Sequence, residues 1–192
     1  MNKEPFSFSV ESWSVKQEHK EYHTPIFTLL KRRFRLESED HEGTFYVLDA
    51  PDWVNVIAMT PDREVVLVEQ FRYGTNKPSL EIPGGVCDEG ETPLETAKRE
   101  LQEETGYVSD KWSSMGQVSA NPAIMSNYNH FFLAEECLEQ GTMNLDHHER
   151  IEVHTLPYND FLGRVSDGTI DHSIMVAAVG KLLLRDQGYS GG

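Results

Sequence analysis

Three glutamates, Glu100, Glu103 and Glu104, crowd one short part of the stretch GGVCDEGETPLETAKRELQEETGY, Gly84 to Tyr107. At spacings i, i+3 and i+4 they share one face of a helix, where each like-charge pair costs a few tenths of a kcal/mol. A hard divalent cation turns that repulsion into attraction, because Mg²⁺ takes carboxylate oxygens together with water and substrate phosphates. The bland alternative is a solvated acidic helix face, the usual fate of a charge run. Placement within the fold separates the two readings.

The helix that must position these groups is fully punctuated. Thr92 is a natural N-cap, Pro93 suits the first helical position, Glu95 completes a T-x-x-E capping box, and Gly106 supplies the stop. Leu94, Ala97 and Leu101 form a narrow apolar stripe, and at about 100° per residue the three carboxylates fall beside it, not opposite. They therefore belong at the edge of a core.

The flanking segments read as strands. WVNVIAMT and EVVLVEQFRYG are β-branched runs joined by TPDR, a hairpin signal, and KPSLEIPGG is a short strand ending in a Pro-Gly-Gly break. Upstream, SFSVESWSVKQE, PIFTLLKRRFRLES and GTFYVLDA predict an N-terminal β extension over residues 1–48. Downstream, WSSMGQVSA, NHFFLAEEC and ERIEVHTLP are strands, and NDFLGRVSDG is a short helix. A final helix through IMVAAVGKLLLRD is capped by Asp171 or Ser173, and residues 188–192 form a tail. Strands with few, widely spaced helices predict an α+β fold with a mixed sheet, the main domain spanning residues 49–187.

Composition sets limits. A formal net charge of −15 disfavours nucleic acid and anionic membrane as partners, and KRRFR, Lys31 to Arg35, is the one basic run. An anionic substrate therefore calls for a positive bridge. No apolar run is long enough to span a membrane. MNKEPFSFSVESWSV lacks the apolar centre of a signal peptide, which predicts a cytoplasmic protein. Cys87 and Cys137 form no metal or redox motif and are expected to be reduced.

The letters of the opening stretch fit G-x5-E-x7-R-E-U-x-E-E-x-G-U, with U a bulky aliphatic residue, through Gly85, Glu91, Arg99, Glu100, Leu101, Glu103, Glu104 and Gly106. This resembles the signature of the Nudix hydrolases. A chance match in a chain of this length has odds of about one in a million. The last position departs from the pattern, with Tyr107 where an aliphatic residue is usual; that concerns packing and no ligand.

The resemblance implies a Nudix-type α/β/α sandwich that holds a divalent metal, Mg²⁺ with Mn²⁺ able to substitute. It implies Glu100 and Glu104 as principal ligands, Glu103 as a further or water-mediated ligand, and the Gly84 carbonyl completing the shell. Arg99 would orient the carboxylates and Glu91 would stabilise the loop. LEIPGG, VVLVEQFRYG and NPAIMSNYNHFFLA resemble the branch that hydrolyses ADP-ribose and other nucleoside diphosphate sugars, with Pro122 at that branch's characteristic proline position. In that branch the positions of Arg72 and Glu81 touch the diphosphate or sugar, and a homodimer often exchanges N-terminal strands. A glutamate before a strand of the type E-x-I-E-V serves as the base, which selects Glu149 with Glu152 in reserve; His147 and His148 lie beside it as solvated loop residues or an alternative base. Trp53 stacks on a base or fills the core, and Asn121, Ser126, Asn127 and Tyr128 lie in the loop near the expected sugar pocket. Two other readings stand beside this one: a Nudix hydrolase of nucleoside triphosphates or dinucleoside polyphosphates, and a non-catalytic sensor of the same fold.

Overall fold

The computed structural model describes residues 7–145 and 150–189, which group into two units, Met1–Ala50 with Asn121–Ser126, and Pro51–Ala120 with Asn127–Gly192.

In the first unit, β1 (Ser14–His23), β2 (Thr28–Leu36) and β3 (His41–Asp49) form an antiparallel sheet in the order β1-β2-β3. A 3-10 turn, Glu37–Glu39, links β2 to β3, with Asp40 in the left-handed region at φ 50°. The basic run lies on β2 and is neutralised from both sides. Arg32 meets Glu18 at 2.6 Å, Arg33 meets Glu42 at 3.1 Å, and Arg35 meets Glu37 at 3.2 Å. Phe34, Phe45 and Trp13 pack edge to face along this sheet. Segment 121–126 joins β3 through Leu48, whose N–H donates to the Ile124 carbonyl at 2.8 Å.

The second unit is built on alternation. It contains β4 (Trp53–Met59), β5 (Glu64–Arg72), β6 (Lys77–Glu81), β7 (Gly84–Val86), α1 (Pro93–Thr105), β8 (Tyr107–Val108), β9 (Lys111–Ser119), β10 (Tyr128–Glu135), β11 (Leu138–Glu139), β12 (Ile151–Pro157), α2 (Tyr158–Ser166) and α3 (Ser173–Asp186). Its main sheet runs β12-β5-β4-β10-β9, with β6 on β5 and β7 on β4. Only the β4–β10 pair is parallel among the described strands, so the sheet is mixed.

Because strand side chains alternate faces, Val54, Val56, Ala58, Val66, Phe132 and Ala134 meet Ala97 and Leu101 of α1 on one side. Ile57, Val65, Leu67, Phe131 and Leu133 meet Phe161 of α2 and Ile174, Met175, Ala178 and Leu182 of α3 on the other. The result is an α/β/α sandwich, as expected. Cys87 and Cys137 are free.

Two details position the site. The hairpin at Thr60–Arg63 forms, yet β4 and β5 pair only at Ala58–Val66 and Met59–Val65. Beyond that they part, and the connecting segment fills the gap, β6 continuing along β5 and β7 along the start of β4. The break at Pro83 thus carries the chain from one strand to the other, delivering Gly84 and Gly85 to the foot of α1. The second detail corrects an expectation. Neither Asp171 nor Ser173 caps α3; its N-cap is His172, which makes no side-chain cap bond. Asp171 is held by Lys77 at 2.6 Å instead, a charge-assisted bond that competes better than a cap.

Candidate active site

The capping box of α1 is complete. Thr92 accepts from the Glu95 N–H and the Glu95 carboxylate accepts from the Thr92 N–H, while Gly106 ends the helix at φ 72°. Fixed at both ends, the helix grades its three carboxylates by depth. Glu104 is 4% exposed, and the side chains of Glu100 and Glu103 are 14% and 34% exposed. The edge-of-core placement read from the stripe is correct, and the solvated-face alternative fails.

Backbone without Cβ atoms lets the strand approach these groups. The Gly84 N–H donates to Glu104 Oε2 at 2.9 Å. A Cβ on Gly84 would lie 2.1 Å from the Val54 carbonyl oxygen, so that position accepts no side chain, and one on Gly85 would lie 2.2 Å from Glu100 Oε1 and displace that carboxylate.

Arg99 ties the rest together. Its Nη1 donates to Glu100 Oε1 at 2.9 Å and to Glu103 Oε2 at 3.0 Å, and its Nε donates to Glu91 Oε1 at 3.0 Å. Glu91 also accepts from the Thr96 hydroxyl at 2.8 Å. The Arg99 bonds foremost, then Thr96, lower the pKa of Glu91. The repulsion expected along this face is therefore already relieved by a guanidinium and a backbone N–H. No three His, Cys, Asp or Glu side chains converge as a metal-holding group among the described residues. The donor set nevertheless fits a hard cation, since carboxylate and carbonyl oxygens are what such ions take. The cradle that two glycines keep open beside Glu100 and Glu104 fits it too.

From this loop a cavity of about 550 Å³ extends along the α3 side of the sheet, bordered by Gly84 and Gly85 at one end and by His172 and Ser173 at the other. Glu81 and Arg72 form its central polar pair. Glu81 is 1% exposed and accepts from Arg72 Nε at 2.8 Å and Nη2 at 2.7 Å, with His172 Nδ1 at 3.3 Å. Burial by itself pushes the Glu81 carboxyl up, but the bonds from Arg72 and His172 outweigh it and hold the group well below the usual carboxylate range. Arg72 and Lys77 bring positive charge to this wall, each paired with a carboxylate, Glu81 and Asp171.

The family comparisons agree with this geometry. The sequence profile of the NUDIX domain matches residues 50–178. The chain belongs to the Nudix hydrolase family. It is 33% identical over 141 residues to the ADP-ribose pyrophosphatase of Bacillus subtilis (strain 168), covering 73% of this chain and 76% of that one. It is 35% identical over 156 residues to the GDP-mannose pyrophosphatase of Yersinia pestis (strain Pestoides F), covering 75% and 78%. The methanol dehydrogenase activator of Bacillus methanolicus is 32% identical over 137 residues, covering 71% and 74%. A crystal structure of an ADP compounds hydrolase superposes with a TM-score of 0.81 over 95% of this chain and 99% of that one; at 20% identity it speaks to the fold alone.

Within the Nudix frame, the residues read from the sequence sort as follows. Gly84, Arg99, Glu100, Glu103 and Glu104 gather at the foot of α1, and Arg72 and Glu81 line the adjoining cavity. Trp53 both packs on the α3-side core and lines the cavity. Pro122 belongs to segment 121–126 and groups with the N-terminal unit. In that unit Ser126 donates to Asp49 at 2.7 Å. Asn127 donates to the Pro51 carbonyl at 3.1 Å, and the Tyr128 N–H donates to Asp52 at 2.8 Å, so both pin the start of β10. Glu149, His147 and His148 lie outside the described residues, while Glu152 sits on β12 opposite Glu69 and does not border the cavity. Sequence reasoning passed over Asn129, His172 and Lys77. Asn129 alone carried a signal, since in NHFFLA it stands in phase with the buried Phe131 and Leu133.

Proposed function

We propose that this Nudix hydrolase cleaves the diphosphate linkage of nucleoside diphosphate sugars, of which ADP-ribose and GDP-mannose are the leading pair. The observation that carries the reading is the junction of Gly84 and Gly85 with Glu100 and Glu104, opening onto a cavity whose wall holds Arg72. Relatives named for ADP-ribose and GDP-mannose, each matched over more than two thirds of its length, support the substrate class.

Glu100 and Glu104 with the Gly84 carbonyl are the proposed holders of a divalent cation, Mg²⁺ or Mn²⁺, with Glu103 as a further contact. Such an ion neutralises diphosphate charge and acidifies bound water. Arg99 keeps the carboxylates oriented through its bonds to Glu100, Glu103 and Glu91. Arg72, held flat by the two bonds it donates to Glu81, presents a guanidinium suited to a phosphate. Glu149 takes the proton of the attacking water, with Glu152 as reserve. Water adds to one phosphorus as the bridging oxygen leaves, yielding a nucleoside monophosphate and a sugar phosphate. The proposed setting is a cytoplasmic homodimer with no nucleic-acid or membrane partner. Tyr22, Phe45 and Tyr46, all exposed on the N-terminal unit, suit dimerisation or strand exchange.

A screen of nucleoside diphosphate sugars with Mg²⁺, scored for monophosphate release, tests the reading. Turnover of triphosphates with none of the diphosphate sugars would overturn it.

A further inference from the structure

Asn129 is fully buried, borders the cavity, and has no partner for either its Oδ1 or its Nδ2 among the described residues. Leaving a buried donor or acceptor unpaired costs about 1–3 kcal/mol. A residue that carries two such atoms is poor as a structural choice and good as a recognition device.

Its surroundings say what it would recognise. Asn129 is the direct register neighbour of Trp53 across the parallel β4–β10 pair, and the same alternation puts Asn55 on that sheet face. All three border the cavity. Charged groups of this wall already bind one another, Arg72 to Glu81 and Lys77 to Asp171. Among the remaining polar groups of the lining, Asn129 sets a carboxamide with neither polar atom paired among the described residues beside a flat aromatic side chain. A carboxamide offers one acceptor and one donor in a plane, the complement of a purine or pyrimidine edge. An aromatic neighbour adds affinity for a flat ring. The cavity, at about 550 Å³, falls in the range of small-molecule sites.

We propose that Asn129 is the specificity-determining residue for the nucleobase, with the base seated in the cavity between the Gly84–Gly85 loop and α3. This rests on the diphosphate-sugar reading above and adds which end of the substrate the cavity holds.

The test is a kinetic matrix on the whole protein, comparing wild type with N129L, which is nearly isosteric and removes both polar atoms. One axis varies the base at fixed sugar, with ADP-, GDP- and UDP-glucose; the other varies the sugar at fixed base, with ADP-ribose, ADP-glucose and ADP-mannose. Expected in N129L is at least a tenfold collapse of the kcat/KM spread among bases, carried by KM, with the spread among sugars unchanged. Thermal stability should hold or rise, because the orphaned polar atoms are gone; a purely structural Asn129 predicts a fall. A changed spread among sugars, or no change on either axis, overturns the assignment. If wild type cleaves none of these compounds, the diphosphate-sugar reading fails first, and calorimetry with AMP, GMP, UMP and glucose 1-phosphate decides this one. Base-dependent affinity that N129L abolishes sustains it, and equal affinity of both proteins for all four ligands overturns it.

Discussion

The two faces of the central sheet treat their polar groups in opposite ways. On the α1 face, three carboxylates that ought to repel are each met by a donor: Glu104 by the Gly84 N–H, Glu100 and Glu103 by Arg99. On the α3 face, Glu81 is as well satisfied as any buried acid, while Asn129, on β10 and two strands away from β5, is left without a partner among the described residues. Unlike a charge, a neutral carboxamide can be buried unpaired at tolerable cost. A buried carboxylate cannot, since an uncompensated charge costs several kcal/mol. Charge is thus pre-satisfied on both faces, and the group kept in waiting is neutral.

Breaking the α1 face should have the largest effect. Glu104→Gln keeps the size of the side chain and removes the charge, and kcat should fall by more than about a hundredfold, beyond the loss typical of groups that only support a ligand. Activity and Mg²⁺ dependence that survive the change would remove Glu104 from the metal site.

Next comes the buried acid of the α3 face. Glu81→Gln should cost about 2–3 kcal/mol at neutral pH, read by denaturant unfolding, because Arg72 and His172 lose a charged acceptor. The sign with pH follows from the lowered pKa of Glu81. Its contribution is fully present above the ordinary carboxylate value of about 4.3 and is lost as pH falls below that toward the folded-state value. Wild type should therefore lose stability more steeply than the variant on acidification below about pH 4. Parallel curves would show that the pair does not set acid stability.

Arg99→Ala sharpens the contrast from the other side. Without the guanidinium, Glu100 and Glu103 lose a donor they share, and the metal-free protein should lose about 1–2 kcal/mol. Saturating Mg²⁺ should recover part of that loss, since a ligand bound only by the native state stabilises it by mass action. No recovery would mean that the cation does not sit among these carboxylates.

Smallest is the cap. Thr92→Ala should lower stability by about 1 kcal/mol, with KM little changed. A large drop in kcat with unchanged stability would instead place Thr92 in the chemistry.

Local sequence was enough for everything that depends on neighbours within a few turns. The capping box, the stop at Gly106, the i, i+4 bond from Arg99 to Glu103 and the side of α1 on which the glutamates fall all follow from spacing along one helix. The β-branched runs WVNVIAM and EVVLVEQFR likewise foretold strands, and the mixed-sheet fold class came from their succession with few helices. Partners brought together from distant parts of the chain were not legible. His172 reaches Glu81, and Lys77 takes Asp171 away from the cap of α3, because the sheet and α3 meet only once the core closes. The parting of β4 from β5, which admits the Gly84–Gly85 loop, is a competition between strand pairings that no single run encodes.

By itself, then, the sequence determined where the carboxylates of α1 fall and that a Gly-Gly break precedes them, since helical periodicity and that break are local and strong. Tertiary structure alone decided the cavity: which side chains share it, which of them are already paired, and that Asn129 is not. The physical reason is that hydrogen-bond satisfaction is a property of the packed neighbourhood, and a polar letter in a strand reads the same whether its partner is present or absent.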